Sequence, residues 1–190
     1  MAVLHDLSGK RIAILATNGF EESELIEPLK QLRAAGAAVD VVSPEEREIT
    51  GWNKRDWGKS VPIDQRLSDV SAADYDALVL PGGQINPDLL RVNEIAVAFV
   101  KEFYQAKKPI AAICHAPWLL IEAGLVRGLK ATSYKSIKTD MINAGADWQD
   151  QAVVVDQGIV TSRNPGDLDA FCNKIAEETL EGRHEKRKVA

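Results

Sequence analysis

The sequence predicts an α/β protein: a flavodoxin-like, doubly wound, mostly parallel sheet sandwiched between helices. Three observations carry that prediction. The runs "RIAILAT", "YDALVLP" and "PIAAIC" are short and almost continuously apolar, as strands covered on both faces must be. Segments of helical periodicity alternate with them, which is the pattern of crossover connections in a parallel sheet. The right-handed rule for such crossovers then narrows the topology to the doubly wound type.

The elements follow in order. "RIAILAT" (11–17) is the first strand, and Leu25, Ile26, Leu29 and Leu32 then recur at helical spacing until Gly36 ends the helix. "AAVDVVS" (37–43) is a second strand. Residues 44–75 lose the pattern; with two tryptophans, Trp52 and Trp57, they read as a hairpin-like excursion, not a domain. After "YDALVLPGG", the stretch "DLLRVNEIAVAFVKEFYQAKK" predicts one long amphipathic helix. "PIAAIC" is a strand and "APWLLIEAGLV" a helix with Pro117 in its first turn, where the missing N–H does little harm. "KATSY" reads as a short strand, "SIKTDMINAGA" as a helix, and "QAVVVDQGIVTS" as a hairpin about Gln157-Gly158. "GDLDAFCNKIAEETLEG" closes the fold as a helix, and the charged end 183–190 is expected to fray.

The totals bound the class. A chain of 190 residues with 45% apolar and 27% charged residues fits one domain over 1–190, its ordered core at about 9–182. A net charge of −5 gives no footprint for stable nucleic-acid binding. The apolar runs fall short of the ~20 residues of a membrane span, and the start "MAVLHDLSGKR" lacks the apolar core of a signal peptide. The two cysteines, Cys114 and Cys172, sit in segments that read as buried, so free thiols and a reducing, cytoplasmic setting are expected. A ligand cluster such as paired CxxC is lacking, so neither a metal nor an organic cofactor is called for.

Ligands of doubly wound sheets bind outside the carboxyl ends of the strands. That rule gathers Asn18–Glu24, Gly82–Asp88 and Cys114–Ala116 at one edge. Cys114 stands where a strand turns sharply into a helix, the mechanics of a nucleophile elbow, with the helix dipole and free N–H groups favouring a thiolate. His115 is the internal histidine, since His5 and His184 lie near the chain ends. Consecutive side chains seldom face one another, so a Cys114–His115 pair requires unusual backbone at the turn. Glu22 reads as a dipole partner of its helix. Glu24, beside the irregularity set by Pro28, is expected buried with a raised pKa, sharing a proton with Cys114. The N–H groups of Gly82 and Gly83 are placed to hold an oxyanion formed on a carbonyl that Cys114 attacks.

The segments "ILATNGFEESELIEPL", "DALVLPGG", "IAAICHAPWLL", "NAGADW" and "VTSRNPGDL" occur in that order along nearly the whole chain. With them the sequence resembles the PfpI family, a branch of the parkinsonism-associated deglycase superfamily related to class I glutamine amidotransferase domains. The resemblance implies a homodimer or larger assembly, Cys114 as nucleophile, His115 as its partner and Glu24 as the carboxyl touching the cysteine. It implies backbone oxyanion donors at Gly83 and Ala116, and Tyr134 and Arg163 at the pocket or its rim. It also implies a third triad member, supplied by a neighbouring subunit from the segment after the double glycine, where Asp88 is the match. Glutamine hydrolysis is disfavoured, because no spare internal histidine exists to serve it. The function expected is stress protection by a cysteine-dependent hydrolase acting on methylglyoxal-type carbonyls or their protein and nucleotide adducts. The alternatives are an intracellular cysteine peptidase, and a non-enzymatic redox sensor or holdase using oxidation of Cys114.

Overall fold

The computed structural model describes residues 5–187. Residues 1–4 and 188–190, which hold part of the start read above for a leader and the last of the charged tail, lie outside the described residues. Along the chain run β1 (Arg11–Leu15), α1 (Glu22–Ala34), β2 (Ala38–Ser43), β3 (Glu48–Asn53), β4 (Asp56–Pro62) and β5 (Gln65–Arg66). The second half continues with β6 (Ala77–Leu80), α2 (Ile85–Leu90), α3 (Glu94–Gln105), β7 (Ile110–Ile113) and α4 (Pro117–Glu122). Then come β8 (Lys130–Ala131), α5 (Lys138–Asn143), β9 (Asp147–Trp148), β10 (Val153–Asp156), β11 (Ile159–Ser162) and α6 (Leu168–Glu181).

One seven-stranded sheet carries the fold, in the order β10-β11-β7-β6-β1-β2-β5. All its neighbours pair parallel except β10 with β11, a hairpin turning through Gln157 and Gly158, both at positive φ. The chain leaves β1 toward β2 on one side and returns to β6 on the other, so the direction of winding reverses between β1 and β6. Strand pleating divides the core in two. Ala13 and Leu15 point into a layer with Phe99, Phe103, Leu119 and Leu120, while Ile12 and Ile14 point into one with Leu25, Leu32, Phe171 and Ile175. Buried apolar side chains therefore cover both faces of the central strands, which is why those strands read as continuous apolar runs.

Three details depart from the sequence reading, while the hairpin expected within 44–75 is present. The long helix expected after the double glycine is two helices, α2 and α3. Asn93 breaks it, its side-chain oxygen accepting from the N–H groups of Ile95 and Ala96 as an N-cap. The helix after Cys114 is shorter than expected: α4 ends at Glu122 and the chain turns through Gly124 at φ +77°. The 44–75 excursion is a β3–β4 hairpin attached to the loop after β1, through Gly19 N–H to Thr50 O at 2.8 Å and Trp52 N–H to Phe20 O at 2.6 Å. Finally, residues 183–187 do not fray. Arg187 is 2% exposed and donates to the carbonyl oxygens of Gln157 (2.7 Å) and Lys108 (2.8 Å), strapping the chain end across β7 and the β10–β11 turn.

Candidate active site

Three strand ends meet at the reversal point and shape a cleft of about 470 Å³. Gly19, Glu21 and Glu24 reach it from the β1 side, Gly83, Gln84 and Ile85 from the β6 side, and Cys114 and His115 from β7. Trp52 and Lys54 of the hairpin, Tyr134 and Pro165 close the rest of its wall.

Cys114 sits at φ +63°, in the left-handed region that a non-glycine residue enters only under tight constraint. The constraint is visible on both sides: its N–H donates to Ser162 O at 3.0 Å and its carbonyl accepts from Tyr134 N–H at 2.8 Å. That backbone is the irregularity a contact between consecutive residues needs, and Cys114 Sγ lies 3.1 Å from His115 Nδ1. His115, itself buried, is stacked on Tyr134 with ring centroids 4.8 Å apart and meets Trp118 edgewise at 5.3 Å. Its second nitrogen, Nε2, is 2.9 Å from Ser136 Oγ.

Glu24 is fully buried on α1, and its Oε2 accepts from Gly82 N–H at 2.9 Å. Burial pushes its pKa from the ordinary 4.5 up to about 8, against the pull of the Gly82 N–H, so the carboxyl is protonated at neutral pH. Its Oε1 has no partner of good hydrogen-bond geometry, and Cys114 is the group with which it interacts. Burial also pushes the Cys114 thiol well above its ordinary value, and an ionised Glu24 pushes the same way; the N–H groups of Gly83 and His115 pull it down. The free-standing thiolate expected from the sequence is therefore opposed by burial, and the short α4 supplies less dipole than a long helix would. Burial lowers the pKa of His115, so its ring is neutral and able to take a proton.

The glycines divide their work. A Cβ on Gly82 would lie 2.6 Å from Glu24 Oε2 and 2.7 Å from Cys114 Cβ, so only hydrogen fits between carboxyl and nucleophile. Gly83, at φ +80°, packs so closely on the loop after β1 that a Cβ would lie 2.5 Å from Gly19 O. Of the three backbone donors considered from sequence, Gly82 N–H is taken by Glu24 and Ala116 N–H by Ile113 O at 3.0 Å. Gly83 N–H faces the sulfur, and His115 N–H joins it in place of Ala116.

Two further sequence-chosen residues stand apart from the sulfur. Asp88 pairs with Arg91 at 2.7 Å and its side chain is 57% exposed; within the chain it makes no contact with His115, whose Nε2 is met by Ser136. Arg163 is held by Asp167 and Asp150 and lines a neighbouring cavity of about 410 Å³, which shares Tyr134 with the cleft. Ser136 and Lys54 were not singled out from sequence, and no motif or spacing marks them; Gln84 fell within the gathered segment Gly82–Asp88 without a role of its own, and Trp52 was read only as part of the excursion. Glu22 does more than meet a dipole: its Oε2 accepts from Lys59 N–H at 2.7 Å and its Oε1 from Asn53, anchoring the hairpin. Among the described residues one group has the spacing of metal ligands, Glu178, Glu181 and His184, with ligand atoms within 4.8 Å of one another. Arg187 shares that cluster and supplies positive charge to Glu178.

Comparison with known proteins places the chain in a family. The profile of the DJ-1/PfpI family matches residues 10–178. A Bacillus subtilis (strain 168) relative with a provisional cysteine-protease name, YraA, is 47% identical over 163 residues, covering 85% of this chain and 94% of that protein. Deglycase PfpI of Pyrococcus furiosus is 44% identical over 165 residues, 87% of this chain and 96% of its own length. Among solved structures, Drosophila melanogaster DJ-1beta superposes with a TM-score of 0.81 at 31% identity, over 92% of this chain and 95% of that one. The chain belongs to the DJ-1/PfpI family.

Proposed function

We propose that the protein is a cysteine-dependent hydrolase of reactive carbonyls: a deglycase that acts on methylglyoxal-type carbonyls and their adducts with protein or nucleotide amines. The observation that carries this reading is the 3.1 Å contact between Cys114 Sγ and the Nδ1 of a neutral, buried His115. A thiol whose ionisation burial opposes becomes a nucleophile when a base takes its proton during attack. Sγ bonds to the carbonyl carbon as its proton passes to His115 Nδ1, and the carbonyl oxygen takes the negative charge. The N–H groups of Gly83 and His115, which already face the sulfur, are the donors within reach of that oxygen. His115 then returns the proton to the oxygen, giving a hemithioacetal. A proton shift from C1 to C2 turns this into a lactoyl thioester, which water hydrolyses to lactate and the free thiol. An adduct enters the same route once its carbinolamine C–N bond breaks, the amine leaving with a proton from His115. Glu24, kept protonated by burial, adds no negative charge beside the developing anion.

For methylglyoxal the overall change is addition of one water to give lactic acid, which balances without an oxidant or cofactor. The cleft's size suits a small carbonyl or the end of an adducted side chain, not an extended peptide. A cytoplasmic setting goes with this reading, since Cys114 and Cys172 are both free thiols, and a homodimer is what the family resemblance adds to it. Lactate release from methylglyoxal, and from a methylglyoxal-modified amine, tests it with wild type beside Cys114→Ser. Loss of release in the variant is expected. Equal release from both proteins overturns the reading.

A further inference from the structure

We propose that Glu178, Glu181 and His184 bind a divalent transition cation of the zinc type, which clasps residues 182–187 to α6. The site goes beyond the proposed function and does not depend on it. It lies at the opposite edge of the sheet from the cleft. Cys114 follows the carboxyl end of β7, whereas Arg187 docks on Lys108 and Gln157, just before β7 and β11 begin. Glu181 and His184 also lie past residue 178, where the match to the family profile stops.

Local geometry brings the three side chains together. Glu178 and Glu181 stand three residues apart, so one turn of α6 puts both carboxylates on one face. Gly182, at φ +80°, ends the helix and redirects the chain. His184 is then fixed twice. Its backbone N–H donates to Lys107 O at 2.9 Å, and its ring packs against Gly158 so closely that no Cβ fits there. One ligand atom from each of the three residues falls within 4.8 Å of the other two.

The buried pair in this trio is what points to an ion. Glu178 is 5% exposed, and its Oε2 lies 2.9 Å from His184 Nε2. Neither atom has a hydrogen-bond partner of good geometry. At that separation the failure is one of direction: the two atoms do not point at each other. Roughly 3 Å is also the distance between neighbouring ligands of one ion whose bonds are about 2.0–2.2 Å long. A buried carboxylate oxygen left without a partner is costly, and a cation bonded to both atoms removes that cost.

One imidazole nitrogen with two carboxylates suits zinc and its first-row neighbours, whereas calcium and magnesium take oxygen ligands throughout. Three protein ligands leave positions for water, and the exposed Glu181 keeps the site open to solvent. Arg187 and Lys174 bring positive charge to Glu178, but Glu181 and Glu177 face it as well, so carboxylates outnumber cations around the site.

Zinc titration of the full chain, first stripped with EDTA and dialysed, tests the proposal. The parent is Cys114→Ser, so that the cleft offers no competing thiol; His184→Ala, Glu178→Gln and the exposed Glu181→Gln are added to it. One zinc per chain is expected by calorimetry, raising Tm by about 5–10 °C at a hundredfold excess over Kd. Each added substitution should weaken binding about tenfold or more. Trypsin cleavage after the exposed Arg183, followed by intact mass, should slow at least about tenfold with zinc in the parent. Glu181→Gln changes a solvent-facing residue, so it reports on binding even if the buried variants fail to fold. No binding below millimolar zinc overturns the proposal. So do binding and a Tm rise that survive Glu181→Gln and His184→Ala, which would put the cation elsewhere on the chain.

Discussion

Replacing Glu24 by glutamine should make the protein more stable, and more so as pH rises. The carboxyl ionises at about 8 in the folded chain against an ordinary 4.5, because burial strips it of water. Between those values the folded state holds a proton that the unfolded state has released, so wild-type stability falls as pH climbs through that window. It is fully retained below it. For a raised acid of this size, linkage gives a loss of about 3–4 kcal/mol between roughly pH 5 and pH 8. Glutamine carries no titratable proton, keeps an oxygen to accept from Gly82 N–H and turns an amide N–H toward the sulfur. The difference in unfolding free energy, variant minus wild type, should therefore grow by about 3 kcal/mol over that range. Urea unfolding of both proteins across the window measures it, and changes at other titrating groups, Glu178 included, cancel in the difference. A difference constant with pH would show that Glu24 is ionised in the folded chain, and the account of its proton would be wrong.

Other outcomes follow from the same geometry. Gly82→Ala forces a methyl to within 2.7 Å of Cys114 Cβ and Ile113 O, so it should lose about 1–3 kcal/mol in urea unfolding, and lactate release with it; an unperturbed variant would mean the backbone there has room to shift. Arg187→Ala removes the donor to the carbonyls of Gln157 and Lys108, and a loss of roughly 3 kcal/mol, or some 6–12 °C in Tm, is expected by calorimetry. If Tm stays put, the chain end is not strapped down in solution. Graded iodoacetamide followed by intact mass should add one carbamidomethyl at Cys114 before any at Cys172: burial opposes ionisation of both thiols, but Cys114 lines the cleft beside the base His115 while Cys172 is completely buried. First modification at Cys172 would place the reactive sulfur elsewhere.

How far the sequence reaches can be seen in single residues. The strands β1, β6 and β7 are covered by apolar groups on both faces, and a buried strand must be apolar throughout, so composition alone marks them. The cleft was legible because its residues end those strands, and the position of a strand end in a doubly wound sheet is dictated by topology. Asn93 was legible in principle, an N-cap residue followed by a glutamate, but the apolar spacing on either side matches well enough to read as one helix. Ser136 was not. An exposed serine in a short 3₁₀ turn has no periodicity, and its meaning comes from a partner 21 positions away. Arg187 misled for a related reason: a terminal run of charges resembles a solvated tail, and only backbone carbonyls, which leave no trace in a sequence, show where it docks. The same holds for Glu22, whose use as the hairpin's anchor depends on the N–H of Lys59.

The backbone at position 114 has one more implication. An L-residue held at φ +63° sits uphill of its relaxed conformation by about 1–2 kcal/mol, a penalty glycine would escape. Thermal robustness taken alone would favour glycine at that corner. A cysteine there is a thermodynamic concession to reactivity, and Cys114→Gly should yield a sturdier protein without its nucleophile.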